Sequence, residues 1–246
     1  MPNKEGRKGL ILAAGYGSRL QGSNPVTDFK PLTPVGGIPL IFRTIESLQK
    51  AGCSGIIIVL GHGHEEIKTA ITESYKGETP IEFVYNERFD LSNGVSVLSA
   101  KELVGEEFVM TMADHVLGDS VMETAKNYHP DSDSSALLVD YKVDTIFDMD
   151  DATKVLSDGD QIVSIGKQIS EYNCIDTGVF VCTKALIDSL EEHYVKFGDT
   201  SISDGVQDLA STGKMYTVDI KDGFWQDVDT PEMLEYVEKY FSNLKS

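Results

Sequence analysis

The chain has 246 residues, 41% of them hydrophobic and 25% charged, the balance of a soluble globular enzyme with one substantial core. Its formal net charge of −19 argues against a nucleic-acid partner, which needs clustered cations, and no stretch approaches the roughly 20 apolar residues of a membrane span. Three cysteines without metal-ligand spacing, and an N-terminus without an apolar signal stretch, give the expectation of a soluble cytoplasmic protein.

Strand and helix signals alternate along the first half. The apolar run 9–13 reads as a buried strand that delivers the chain into a turn at Gly15 and Gly17. Residues 39–51 have helical spacing and stop at Gly52. The continuous apolar run 55–60 has the composition of a strand buried on both faces. A helix is expected over 64–75, opening with Glu65 and Glu66 where the helix dipole favours acids. Strand 81–85, helix 95–103 and strand 108–113 follow. The second half is mixed: helix 120–128, strand 136–141, an acidic turn-rich stretch over 144–160, strands 161–165 and 175–182, and helices 184–194, 202–211 and 231–241. Such alternation implies right-handed crossovers. The expected fold is α/β, a single Rossmann-like, mainly parallel mixed sheet flanked by helices. No repeat or linker divides it, so 1–246 is read as one domain with an acceptor-binding subregion over about 118–185. Ligands of such sheets bind beyond the carboxyl ends of the strands, where Gly15, Gly17 and Asp114 fall.

The segment Leu12-Ala-Ala-Gly-Tyr-Gly-Ser-Arg-Leu20, followed by Phe29-Lys30-Pro31-Leu32, carries the strongest chemical signal. A glycine turn after a strand exposes backbone N–H groups, which favour phosphate oxygens. Leu12, Ala13, Ala14, Gly15, Gly17 and Ser18 are therefore candidate nucleotide-binding residues, and the cations Arg19 and Lys30 are candidate catalytic residues. A dinucleotide fingerprint would need a further glycine where Leu20 stands, and a P-loop would end in Gly-Lys-Ser/Thr; neither is present. The pattern resembles that of the nucleotidyltransferases that activate sugar phosphates: Leu-Ala-Ala-Gly-x-Gly-x-Arg-Leu, a spacer, then Pro-Lys-Pro-Leu. Phe29 stands here in place of the first proline.

Carboxylates supply the second signal. Asp114 ends the strand Phe108-Val-Met-Thr-Met-Ala-Asp, where it can hold Mg²⁺ or cap the next helix, and the residues alone balance the two readings. Trp225-Gln-Asp-Val-Asp-Thr-Pro-Glu brings in Asp227 and Asp229, although Asp229 or Thr230 before Pro231 also makes a good helix start. Ser92-Asn-Gly-Val-Ser-Val reads as a turn and cap opening a helix. Gly61-His-Gly-His64 lacks a third metal ligand and reads as a strand-to-helix turn. Cys174 and Cys182 flank a strand-like run and read as small core hydrophobes.

Met112-Ala-Asp-His-Val, Asp150-Asp-Ala-Thr-Lys-Val, Ile165-Gly-Lys and Cys174-Ile-Asp-Thr-Gly-Val-Phe together closely resemble the CTP-dependent inositol-1-phosphate cytidylyltransferases, from Leu10 to Glu238. The resemblance implies the fold of the nucleotide-diphospho-sugar transferases and a metal pair of Asp114 with Asp227 or Asp229. It also implies Asn93, Gly94 and Ser96 near the nucleobase, Lys154 and Lys167 on the acceptor phosphate, and Asp176, Thr177 and Gly178 lining the acceptor pocket. His115, next to Asp114, joins the acceptor candidates.

The expected reaction is in-line attack of a phosphate-monoester oxygen on the α-phosphorus of CTP, with Mg²⁺ as cofactor and pyrophosphate as leaving group. Cytidylyltransferases for phosphocholine or 2-aminoethylphosphonate, and hexose-1-phosphate nucleotidyltransferases, share the front half of the pattern. Two other classes compete: a nucleotide-sugar glycosyltransferase using Asp148-Met-Asp150, and a non-catalytic nucleotide-sugar binder. The expected partners are CTP and a small phosphorylated or phosphonate substrate, with no nucleic acid and no membrane span; assembly as a homodimer is left open.

Overall fold

A computed structural model of the chain describes residues 6–17 and 28–244. Its centre is a nine-stranded sheet in the order β5-β4-β1-β6-β11-β8-β12-β10-β9. The strands are β1 (Lys8–Ala13), β4 (Gly55–Leu60), β5 (Ile81–Tyr85), β6 (Glu107–Met112), β8 (Ser135–Asp140), β9 (Lys154–Asp158), β10 (Gln161–Gly166), β11 (Cys174–Thr183) and β12 (Met215–Asp219). The β5-β4-β1-β6 part is parallel, whereas β11 runs antiparallel between β6 and β8. Two short ribbons stand outside the sheet: β2 (Pro34–Val35) with β3 (Ile38–Pro39), and β7 (His115–Leu117) with β13 (Trp225–Asp227).

Side chains alternate across the sheet with period two, so each central strand feeds two cores. Leu10, Leu12, Ile57, Val59, Phe108 and Met110 face α3 (Asn93–Ser99), α5 (Lys184–Phe197) and α6 (Ile202–Ser211). Ile11, Ile56, Ile58, Leu60 and Val109 face α1 (Leu40–Lys50), α2 (His64–Ser74) and α4 (Asp119–Asn127). All six residues of β4 are buried, which is why its sequence is continuously apolar. Each such isoleucine contributes about 1.5–3 kcal/mol by leaving water. A third, smaller core of Val35, Leu40, Val116, Val228 and Val237 fixes both ribbons against α7 (Pro231–Leu244). Cys53, Cys174 and Cys182 are free and buried. No helix among the described residues is long and apolar enough to cross a membrane.

Two expectations are corrected, and three strands stand where none was expected. The acidic stretch 144–160 contains β9, whose Val155 and Ser157 are buried by alternation and which turns at Gly159 (φ +60°) into the antiparallel β10. The expected helix over 95–103 is α3, which begins at Asn93 and ends at Ser99, because residues 100–103 form turns closed by Lys101 N to Leu98 O and Leu103 N to Ala100 O. The strands β7, β12 and β13 carry no strong sequence signal, being short or lacking a continuous apolar run.

The chain leaves β1 for β4 and β5 on one side, then returns to β6 on the other. That reversal opens a crevice at the carboxyl ends of β1 and β6, the place where open α/β sheets bind ligands. The Ala113 N–H donates to Leu12 O (3.0 Å), setting the residue before Asp114 beside the start of the glycine loop.

Candidate active site

The crevice holds a cavity of about 280 Å³ lined by Leu12, Ala13, Gly15, Gly17, Lys30, Asp114 and Asp229 among others. A Cβ built on Gly15 meets nothing among the described residues, so the loop keeps its backbone open toward the cavity. Gly17 is required twice over. Its φ is +61°, and a Cβ there would lie 2.6 Å from the Cβ of Lys30. Ala14 is buried, with its carbonyl accepting from the His62 N–H (3.1 Å) at the end of β4. Ser18 and Arg19 lie outside the described residues.

Lys30 opens a 3-10 turn, Lys30–Leu32, that drives its side chain inward until 10% remains exposed. Its ammonium donates to Asp114 Oδ2 at 2.5 Å and also to Asp229 Oδ1. Burial opposes the charge, but the two carboxylates outweigh it and raise the Lys30 pKa above the ordinary lysine value. Burial would likewise raise Asp114, yet Lys30 and His115 hold it well below the usual carboxylate range. His115 Nδ1 sits 2.7 Å from Asp114 Oδ1, and that contact raises the imidazole pKa against burial.

The register separates Asp227 from Asp229. Asp227 stands opposite His115 in the β13–β7 ribbon, and its pKa is raised by burial and by the nearby Asp114 and Asp229. Asp229 reaches Lys30, while Thr230 takes the helix-capping role by accepting from Met233 N at 3.3 Å. Asp114 does not cap α4 either; that position is Gly118. Two carboxylates converging on one cationic atom form a hard-oxygen pair that fits Mg²⁺ shared with substrate phosphates. Among the described residues no group of three or more His, Cys, Asp or Glu forms a closed cage.

A second cavity of about 470 Å³ meets the first at Asp229. Its wall carries His115, Lys167, Asp176, Gly178 and Asp227, together with aromatic rings of Phe224, Trp225 and Tyr236. Asp176 Oδ1 accepts from the Gly178 N–H (2.7 Å), yet burial raises its carboxyl to about 6. Gly178 has φ +73°, and a Cβ there would strike His115 Nε2 at 2.4 Å. Lys167 pairs with Asp151 at 2.5 Å.

Other expected site residues have partners inside the fold. Thr177 is fully buried and donates to Leu138 O (2.7 Å). The Lys154 ammonium donates to Met149 O (2.8 Å) and Lys167 O (3.1 Å), tying down the turn before β9. Ser96 is buried and accepts from Asn86 Nδ2 (2.9 Å), and a Cβ on Gly94 would lie 2.5 Å from Thr200 O. Of these three nucleobase candidates Asn93 alone lines the cavity, with its Oδ1 accepting from Ile202 N (2.9 Å) at the start of α6. Asp148 accepts from the Asp151 N–H (3.3 Å) within its turn.

Asp140 and Lys142 were not signalled by any motif. Asp140 ends β8, at the same sheet edge as Asp114, and its carboxylate receives Trp225 Nε1 (2.9 Å), Lys142 N (2.8 Å) and Lys142 Nζ (2.7 Å). Its place at a strand's carboxyl end was the one clue available.

Residues 9–203 match the MobA-like NTP transferase domain. The chain belongs to the MobA-like NTP transferase family. Within known proteins it is 31% identical over 233 residues to the bifunctional IPC transferase and DIPP synthase of Aquifex aeolicus, covering 94% of this chain and 51% of that protein. The protein of the same name from Archaeoglobus fulgidus is 32% identical over 228 residues, covering 92% of this chain and 42% of the relative. The chain thus spans about half the length of the curated relatives it matches. The solved structure of the inositol-1-phosphate CTP transferase from T. maritima superposes with a TM-score of 0.80 at 27% identity, over 95% of this chain and 96% of that one. A UDP-glucose pyrophosphorylase complexed with UDP-glucose, at 18% identity and a TM-score of 0.78, covers 97% of this chain and 99% of its own and shares the fold.

Proposed function

We propose that the chain is a cytidylyltransferase that joins CTP to a small phosphorylated polyol, inositol-1-phosphate, and releases pyrophosphate. The observation that carries this reading is Lys30, held by Asp114 and Asp229 where the glycine-loop cavity meets the acidic, aromatic-walled cavity. A donor triphosphate on the loop side and an acceptor on the other bring their reacting phosphates to that junction. The named activities of the relatives support the choice of CTP and of inositol-1-phosphate.

In the reaction an anionic oxygen of the acceptor phosphate bonds to the α-phosphorus of CTP, and the bond from that phosphorus to the β-phosphate bridge breaks. The nucleophile is already charged near neutral pH, so no side chain needs to remove a proton. The work of the chain is positioning and charge neutralisation. The loop N–H groups and Arg19 hold the β- and γ-phosphates, and Lys30 stabilises charge on the α-phosphate. Asp114 and Asp229 would hold Mg²⁺, which when bound would supply charge neutralisation for the phosphates. On the acceptor side Asp176 accepts hydrogen bonds from ring hydroxyls, and Lys167 exchanges its pairing with Asp151 for the acceptor phosphate.

A pyrophosphate-release screen with Mg²⁺ tests this, crossing the four ribonucleoside triphosphates and dTTP with inositol-1-phosphate, phosphocholine, 2-aminoethylphosphonate and hexose-1-phosphates. Turnover is expected with CTP and inositol-1-phosphate. Turnover of UTP or dTTP with glucose-1-phosphate, and none with CTP, overturns the reading.

A further inference from the structure

Trp225 is the single tryptophan of the chain, and it stands in the wall of the larger cavity. Its indole N–H points away from solvent to Asp140, a carboxylate only 3% exposed. A buried carboxylate is costly unless its oxygens are satisfied. Here both oxygens are satisfied by groups of the cavity wall, one by Trp225 and the other by the backbone and ammonium of Lys142. The bond also ties two parts of the fold together, since Asp140 ends β8 of the main sheet and Trp225 begins the outlying β13. Along β13 the two-residue period sets Trp225 and Asp227 on one face, and two residues further Asp229 meets Lys30. The Trp225 ring lies nearly parallel to His115, at 15° with centroids 6.4 Å apart, and His115 contacts Asp114. The indole is held in place by its bond to Asp140, by the pairing of β13 with β7 and by packing of its partly buried ring against the core.

We propose that Trp225, held by its edge to Asp140, is the platform on which the ring of the acceptor lies, and that Asp140 is a positioning residue for the transfer. This rests on the cytidylyltransferase reading above. A polyol ring offers an apolar C–H face to the flat indole while its rim hydroxyls reach carboxylates such as Asp176. Asp140 touches neither the donor nor the reacting phosphates in this arrangement. It sets the plane of the indole and the position of Lys142.

With one indole in the chain, tryptophan emission reports on this cavity alone. Titration of the intact protein with inositol-1-phosphate, without nucleotide, is expected to change that emission saturably over the concentration range of the acceptor KM. Trp225→Leu and Asp140→Asn are each expected to raise the acceptor KM by about tenfold while the KM for CTP stays within about twofold. Trp225→Phe, which keeps a flat ring without the N–H, is expected to fall between wild type and Trp225→Leu. Wild-type emission that is unmoved at saturating acceptor overturns the proposal, as does an unchanged acceptor KM in Trp225→Leu. Equal rises in both KM values in Asp140→Asn point to a structural role only and also overturn it. Absence of any turnover with inositol-1-phosphate in wild type instead overturns the acceptor reading, and the platform falls with it.

Discussion

Replacing Lys30 by methionine removes the charge between Asp114 and Asp229 while keeping most of the side-chain stem. Breaking a buried ion pair by deleting one partner costs about 3–5 kcal/mol, because the remaining charges are left uncompensated. Two features set the lower end of that range here. The Asp114 and Asp229 side chains keep 26% and 16% exposure, and Asp114 retains His115 at 2.7 Å. A loss of about 3 kcal/mol lowers the melting temperature of a chain this size by roughly 6–12 °C. The pH dependence has a definite sign. The depressed Asp114 pKa contributes stability that is present above the ordinary aspartate range and lost as pH falls through the lowered value. The raised Lys30 pKa contributes stability that is present below the ordinary lysine value of 10.5 and lost as pH rises through the raised one. The gap between wild type and Lys30→Met is therefore widest on the neutral plateau and closes at both extremes. Thermal melts from acid to alkaline pH, without Mg²⁺, measure it; added Mg²⁺ should raise the melting temperature of the variant more than that of wild type. Turnover in the variant is expected to fall by roughly 10²–10³-fold, as on removing a transition-state donor. A melting loss below about 2 °C at neutral pH, or a loss of equal size at all pH values, refutes the reasoning.

Asp176→Asn is expected to be more stable than wild type by about 3 kcal/mol above pH 7, with the difference vanishing below the ordinary aspartate range. The sign follows because burial raises Asp176 to about 6, so ionisation at higher pH costs stability that the amide does not lose; denaturant titrations at two pH values check it. Cys53, Cys174 and Cys182 are buried, with burial pushing the first two thiols up to about 12 and about 11 and the third well above its ordinary value. A thiol reagent should label none of them in the native protein and all of them after denaturation.

Local pattern carried much of the fold. The apolar runs that became β1 and β4 and the aromatic, β-branched segment that became β5 are bounded by turn residues and need no distant partner to be recognised. The glycine loop and Asp114 were legible for the same reason, since a ligand edge lies wherever parallel strands end. The strand β9 escaped because its acidic setting hides a weak alternation, and β7 and β13 escaped because three residues carry too little pattern. In each case the pairing partner, not the segment itself, makes the strand.

The chemistry divides along the same line. By itself the sequence determined that a glycine turn after a strand, a lysine and several carboxylates exist, and which strand ends carry them, because composition and periodicity are properties of short segments. Only the tertiary structure shows that Asp229, and not Asp227, bonds Lys30, since that depends on the register of β13 against β7 and on Thr230 serving as the helix cap. It also drew Thr177, Lys154 and Ser96 into bonds within the fold and set Asp140 against Trp225 across 85 residues of chain. Those outcomes turn on which side chains meet once distant segments pair, and no local spacing encodes that.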